Sequence, residues 1–122
     1  MTHQILGLDH VQLAMPVGAE AEAIAFFSGV LGLRQRRKPD ALAGRGGCWF
    51  QAGAVQLHVG ADPDFRPAKK AHPALMVDGL DALVEALISG GHPVREGATI
   101  AGVTQLFTDD PFGNRIELVA AG

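Results

Sequence analysis

The chain of 122 residues carries 10 Lys and Arg against 13 Asp and Glu, a formal net charge of −3, and its length is that of one compact domain. The absence of a basic excess argues against a nucleic-acid partner, and 48% hydrophobic against 19% charged residues is a globular rather than a disordered composition. A single cysteine rules out an intrachain disulfide, and no apolar run approaches the roughly 18 residues that cross a bilayer. We therefore expect a cytoplasmic protein with no nucleic-acid and no membrane partner.

The first predicted strand lies in the stretch GLDHVQLAMPV, where polarity alternates with a period of two. His10, Gln12 and Ala14 are expected on one face of this strand, and the residues between them are apolar. A helix is predicted over about Ala19 to Val30, where apolar residues recur at helical spacing. Three further strands are predicted, at Leu33–Lys38, Gly47–Gln51 and Ala54–Val59.

The second half of the chain repeats this order after a polar, proline-containing linker. Its first strand begins at His72, and Ala74 and Met76 are expected on the same face as that histidine. A helix is predicted over Leu80–Ser89, with Asp78 as the candidate N-cap and two glycines to end it. The remaining strands are predicted at Pro93–Glu96, Val103–Thr108 and Arg115–Ala120, with the turn sequence DDPFGNR before the last one.

These elements form the order βαβββ twice, which predicts one α+β domain over residues 1–122 built from two tandem modules. Module one spans about residues 5–60, the linker residues 61–70, and module two about residues 71–120. We expect each module to form a half-barrel. The two together are then a curved mixed sheet with the helices on its convex face.

Six polar side chains at alternating strand positions are expected to share the concave face: His10, Gln12, Gln56, His58, His72 and Glu117. An unpaired buried polar group costs about 1–3 kcal/mol, so a set of this size indicates a function. Two neutral imidazoles and a carboxylate are a recurrent ligand set for a divalent metal, and three ligands leave positions open for substrate. The pattern alone leaves a structural role equally open, with each histidine hydrogen-bonded and Glu117 in a salt bridge to Arg95 or Arg115.

The sequence resembles the vicinal oxygen chelate superfamily, which includes glyoxalase I, fosfomycin-resistance thiol transferases, extradiol dioxygenases and bleomycin-binding proteins. The resemblance covers about Leu6 to Ala120 and is carried by GLDHVQLAM, AIAFFSGVLGL, AHPALMVDGLDAL and FTDDPFGNRIELV. It implies the two-module fold and a homodimer, in which modules of two chains often pair. The chain has no tyrosine, which argues against the fosfomycin transferases, because these use one at their phosphonate site.

Carried over position by position, the resemblance makes His10, His72 and Glu117 the ligands of a divalent ion, which would be Fe, Mn, Zn, Ni or Co. Gln56 stands where some members have a fourth ligand, a glutamate that in glyoxalase I also transfers a proton. Glutamine is a very poor base, so His58, two residues further on the same face, is the other catalytic candidate. In a dimer with paired modules, His10 would meet the ligands of the other chain.

The implied function is that of a metal-dependent lyase, isomerase or dioxygenase acting on a small substrate with two adjacent oxygens. The metal would stabilise a developing enolate or alkoxide as a Lewis acid. The alternative is a metal-free dimer of the bleomycin-resistance type, which binds and sequesters a small drug or antibiotic. Arg66, Lys69 and Lys70 in the linker are candidates to attract an anionic substrate, although solvated surface charge is their simpler explanation.

Overall fold

Two modules of the order βαβββ follow one another in the computed structural model, which describes residues 2–121. Module one contains β1 (Val11–Met15), α1 (Glu20–Phe27), β2 (Arg34–Arg36), a 3-10 helix (Asp40–Arg45), β3 (Cys48–Ala52) and β4 (Val55–Ala61). Module two contains β5 (Ala74–Val77), α2 (Leu80–Ser89), β6 (Arg95–Ile100), β7 (Val103–Asp109) and β8 (Arg115–Ala120).

Within residues 2–121, no helix has the length and apolar character that crossing a membrane requires.

Each module forms its own four-stranded sheet, in the orders β1-β4-β3-β2 and β5-β8-β7-β6. The pairs β1 with β4 and β5 with β8 are parallel, and the other neighbours are antiparallel. The predicted α+β architecture of two tandem modules with mixed sheets is therefore confirmed. The sheets are not closed into a barrel, because β1 and β5 each end a sheet without a further partner strand.

The predicted alternation of faces along the strands is confirmed by burial. Leu13 and Met15 are buried in the core, while Gln12, which precedes Leu13, is exposed. In β4, Leu57 and Val59 are buried with the helix residues Phe26, Phe27 and Leu87 in one apolar cluster. Burial of these side chains is the main source of stability, and it fixes which face of each sheet stays open for function.

Several predicted boundaries were wrong by a few residues. Helix α1 ends at Phe27 rather than near Val30, because Gly29 N–H bonds to the carbonyl of Ile24, five residues back, and the regular turn is lost. Helix α2 spans Leu80–Ser89 as predicted, but its N-cap is Gly79 at φ 75°, and no side chain caps it; the predicted cap Asp78 lies one residue earlier. The 3-10 helix between β2 and β3 was not predicted.

Asn114 joins the two modules and the linker at one buried point. Its Nδ2 donates to the carbonyl of Ala14 in β1 at 2.8 Å and to Asp110 Oδ2 at 2.7 Å, and its Oδ1 accepts the Ala68 N–H at 2.9 Å. Asp110 Oδ1 also accepts the N–H groups of Phe112 and Asn114, both at 2.9 Å. Burial raises the pKa of the Asp110 carboxyl, although its hydrogen bonds to Asn114 and Phe112 act in the opposite direction. The predicted turn DDPFGNR thus also fixes how module two sits against module one.

Candidate metal centre

His72 and Glu117 form the centre of the candidate site. His72 Nδ1 lies 2.8 Å from the carbonyl oxygen of Lys70, and because a carbonyl can only accept, Nδ1 carries a proton and donates it. The other ring nitrogen, Nε2, lies 3.0 Å from Glu117 Oε1. A neutral imidazole in this tautomer turns a lone pair towards the carboxylate, so a cation is needed between or beside them, either a second proton or a metal ion.

The pairing of β5 with β8 brings these two side chains together. Ala74 is the register partner of Glu117, and the Glu117 N–H donates to the carbonyl of Pro73 at 3.0 Å. His72 therefore lies just before the first paired residue of β5, on the side of the sheet that carries Glu117. The Phe107 ring meets the His72 ring edge to face, with 5.4 Å between centroids, and limits how far the imidazole can turn.

His10 lies in module one and belongs to a stack of three rings. Its ring lies 4.2 Å from that of His58, which in turn lies 4.0 Å from the Trp49 ring at an interplanar angle of 5°. His10 Nδ1 lies 2.9 Å from Asp9 Oδ1, so this nitrogen donates to the carboxylate and Nε2 is left with a lone pair. Both His10 and His72 are thus held at Nδ1 by an oxygen acceptor, the arrangement usual for histidines that bind a metal through Nε2.

His58 is 6% exposed, on the face of β4 opposite the apolar core. Burial lowers the pKa of its imidazole, and the electrostatic influence of the neighbouring His10 and Arg36 acts in the same direction. His58 is therefore neutral near pH 7 and able to accept a proton. The neighbouring candidate Gln56 has its amide oxygen engaged, since Arg36 Nη1 donates to Gln56 Oε1 at 3.0 Å.

The polar residues predicted to share one concave face are divided between the two modules. A cavity of about 570 Å³ in module one is lined by His10, Gln12, Trp49 and His58 together with Lys38 and Arg45. Gln12 fits beside β4 because residue 60 is glycine: a Cβ there would lie 2.9 Å from Gln12 Nε2. A smaller cavity of about 190 Å³ in module two is lined by Glu117 and by the apolar side chains of Ile100 and Val103.

The structure brings together His72 with Glu117, and His10 with His58. In the part of the chain that the structure describes, no group of three His, Cys, Asp or Glu side chains is placed to hold one metal ion within a single chain. The ligand set of His10, His72 and Glu117 thus remains a prediction. Glu117 pairs with His72 and not with Arg95 or Arg115, the partners that a purely structural role would have given it.

Three features of the site were not predicted from the sequence: the stacking of Trp49 on His58, the hydrogen bond of the Lys70 carbonyl to His72, and the contact of Asp9 with His10. Only the last had a signal in the sequence, since the two residues are adjacent. The Trp49–His58 contact follows from their pairing as register partners between β3 and β4, and the Lys70 contact from the local path of the linker.

The family model and the solved structures that match this chain point to the same protein family. The family model of the Glyoxalase/Bleomycin resistance protein/Dioxygenase superfamily matches residues 7–118. A solved structure from Bacillus anthracis, assigned to the glyoxalase family, is 43% identical with a TM-score of 0.93, and the match covers 100% of both chains. Among curated proteins, none matches the chain.

More distant solved structures share the fold. A glyoxalase family protein from Enterococcus faecalis is 18% identical with a TM-score of 0.68, over 92% of this chain and 95% of that one. The fosfomycin resistance protein FosX from Listeria monocytogenes, in complex with Mn(II) and a sulfate ion, is 15% identical with a TM-score of 0.77, over 98% and 93% of the two chains. Superfamily members are typically dimers that bind small molecules, and they commonly use divalent metals. Because the family model matches nearly the whole length of the chain, this chain belongs to the Glyoxalase/Bleomycin resistance protein/Dioxygenase superfamily.

Proposed function

We propose that the protein is a metal-dependent enzyme acting on a small substrate with two adjacent oxygens. His72 and Glu117 of one chain, with His10 of the partner subunit, would hold one divalent ion, one of Fe, Mn, Zn, Ni or Co. The observation that carries this proposal is the 3.0 Å approach of His72 Nε2 to Glu117 Oε1, with Nδ1 fixed as a donor to Lys70. A bound divalent ion would supply Lewis-acid polarisation of the two substrate oxygens.

The donor set fits such an ion. Two imidazole nitrogens and one carboxylate oxygen suit first-row divalent metals, and three protein ligands leave coordination positions open. Glu117 is 16% exposed at its side chain and His72 26%, so the pair lies at the edge of solvent where an ion can enter. Without a cation, the imidazole lone pair and the carboxylate would be two acceptors facing each other. Either a metal ion or a proton between them removes this repulsion.

A homodimer would complete the site. Apolar side chains stand exposed next to the ligands: Ile5 and Leu8 before β1 are each 86% exposed, and Met76 on β5 is 75% exposed. These residues lie on the two modules' unpaired edges and would gain cover if module one of one subunit met module two of another. The same pairing would carry His10 to the partner subunit's ligand pair.

His58, Gln56 and Gln12 would act on the substrate from module one. Neutral His58 accepts a proton at an imidazole nitrogen, and its rigid position between two rings keeps that nitrogen in one place. Because Arg36 occupies the amide oxygen of Gln56, that side chain offers N–H groups to a substrate oxygen rather than a ligand oxygen to the metal. Gln12, exposed in the cavity, offers a further polar contact for orientation.

Metal content of the purified full chain tests the proposal. We expect about one divalent ion per chain, a Co(II) absorption spectrum typical of His and carboxylate ligation, and loss of both in His72→Ala and Glu117→Ala. Glu85→Gln, on the exposed surface of α2, is the matched control and keeps the ion. Metal content unaffected by His72→Ala and Glu117→Ala would leave the metal-free binding dimer as the better explanation.

A further inference from the structure

Among residues 2–121, Arg115 has no acidic partner, and it lies in the same strand as Glu117 of the His72–Glu117 pair. It lies two residues before Glu117 in β8, so both side chains stand on the same face of the sheet. Its register partner on β7 is Asp109, which would ordinarily neutralise it across the strands.

Asp109 is already occupied by the other arginine of this face. Arg95 Nη1 lies 2.8 Å from Asp109 Oδ2, and Arg95 Nη2 lies 2.9 Å from Oδ1, a bidentate pair that uses both carboxylate oxygens. Glu117 faces His72. Within residues 2–121, no salt bridge reaches Arg115, and its Nε is buried without a hydrogen-bond partner. A buried donor without an acceptor lowers the stability of the fold unless a ligand supplies that acceptor.

The Arg115 guanidinium is held in place by a ring that also contacts the ligand pair. Arg115 Cζ lies 4.9 Å from the centroid of the Phe107 ring, and the His72 ring lies 5.4 Å from the same ring. A cation stacked on an aromatic face loses little freedom when an anion binds to its edge. Phe107 thus contacts both the imidazole and the guanidinium.

The linker adds positive charge at the same corner. The Arg115 N–H donates to the carbonyl of Ala68 at 2.9 Å, so the linker runs alongside the start of β8. Arg66, Lys69 and Lys70 are exposed on it, and Lys70 supplies the carbonyl that holds His72. These side chains raise the local potential for an approaching anion.

We propose that Arg115 is the anion-binding residue of this site and that the substrate carries a carboxylate or phosphate group besides its two adjacent oxygens. This inference rests on the proposed function, because it assigns the adjacent oxygens to the metal. Residues two apart in a strand are about 6–7 Å apart, so the anionic group would lie a few bonds from the chelating oxygens. A neutral analogue of such a substrate leaves the guanidinium unpaired and is bound more weakly.

The test titrates the full chain, labelled with ¹⁵N at arginine and free of added metal, with inorganic phosphate at constant ionic strength. We expect phosphate to shift the Nε–Hε resonance of Arg115 and Arg115→Gln to weaken phosphate binding by about tenfold. Arg115→Lys, which keeps the charge but not the planar fork, should bind with intermediate affinity. Arg37→Gln, with the same loss of charge at an exposed ion pair with Asp40, is the control and should stay within about twofold of the wild type.

An Arg115 resonance that phosphate does not move, or equal phosphate affinity in Arg115→Gln and the wild type, overturns the inference. Equal weakening in Arg37→Gln also overturns it, because net charge would then explain the effect. The titration needs no metal, so its result is separate from Co(II) binding. If Co(II) binds normally but Arg115 does not respond to phosphate, only the anion role fails; if Arg115 responds but no Co(II) binds, the proposed metal function fails.

Discussion

His72 and Glu117, 45 residues apart in the chain, approach to 3.0 Å between Nε2 and Oε1. The contact depends on the parallel pairing of β5 with β8, which sets Ala74 opposite Glu117. Because His72 Nδ1 is already a donor to Lys70, the imidazole has one nitrogen left for the site. Two of the three predicted ligands thus contact each other within one chain, and whether the third joins them from the same or another subunit stays a prediction.

Mixing two variants that each lack one metal ligand tests whether the site is shared between subunits. We expect neither His10→Ala nor Glu117→Ala homodimers to bind Co(II). When the two chains are refolded together, one of the two sites in each mixed dimer would keep His10 from one subunit and His72 with Glu117 from the other. Co(II) binding should therefore return to about one ion per mixed dimer, read from the absorption spectrum. A site built within one chain would recover nothing.

Fluorescence of the single tryptophan offers a second test of whether His10 and Glu117 bind the same ion. Trp49 stacks on His58, which stacks on His10, so an ion bound at His10 should change the Trp49 emission. Glu117→Ala removes a ligand from module two and should abolish this response, although Glu117 lies in the other module. His58→Phe, which keeps an aromatic ring in the stack, is the control for ring packing. Trp49 emission that responds equally in Glu117→Ala would show that His10 binds metal independently of module two.

Asn114→Ala should destabilise the fold strongly. The side chain is 1% exposed and bonds to Ala14, Ala68 and Asp110, so its removal leaves buried partners unsatisfied. We expect the free energy of unfolding to fall by about 2–4 kcal/mol, measured by urea denaturation. Gln35→Ala, on the exposed strand β2, should change it by less than about 0.5 kcal/mol. Equal effects of the two substitutions would contradict the joining role of Asn114.

Asp110 predicts a defined pH dependence of stability. Burial raises the pKa of the Asp110 carboxyl above its ordinary value of 3.8, so the folded chain binds a proton more tightly there than the unfolded chain does. The stability that Asp110 contributes is therefore complete below about pH 3.8 and falls as pH rises through the pKa of the folded state. The difference in free energy of unfolding between wild type and Asp110→Asn should shrink over that interval. A difference that grows with rising pH, or an Asp110 carboxyl ¹³C signal that titrates below 3.8, would contradict the assignment.

The sequence alone predicted the parts of this protein that depend on local pattern. The alternation in HVQLAM predicted that Leu13 and Met15 are buried and that Gln12 is not, because successive side chains in a strand point to opposite faces. The spacing of apolar residues predicted Leu80–Ser89 as a helix with both ends correct. The 3-10 helix at Asp40–Arg45 was missed because it has no apolar periodicity and no buried residue.

Tertiary structure decided which polar residues meet. The repeat in the sequence makes His10 and His72 equivalent, but the strand registers differ: Val11 lies opposite Leu57 in module one, and Ala74 lies opposite Glu117 in module two. That difference joins His72 to Glu117 and leaves His10 stacked on His58 in the other sheet. Likewise, Arg115 is the register partner of Asp109, but side-chain packing gives Asp109 to Arg95, so among residues 2–121 no acid pairs with Arg115. Periodicity in a sequence determines the face on which a side chain lies, whereas its partner depends on the register and packing of strands distant along the chain.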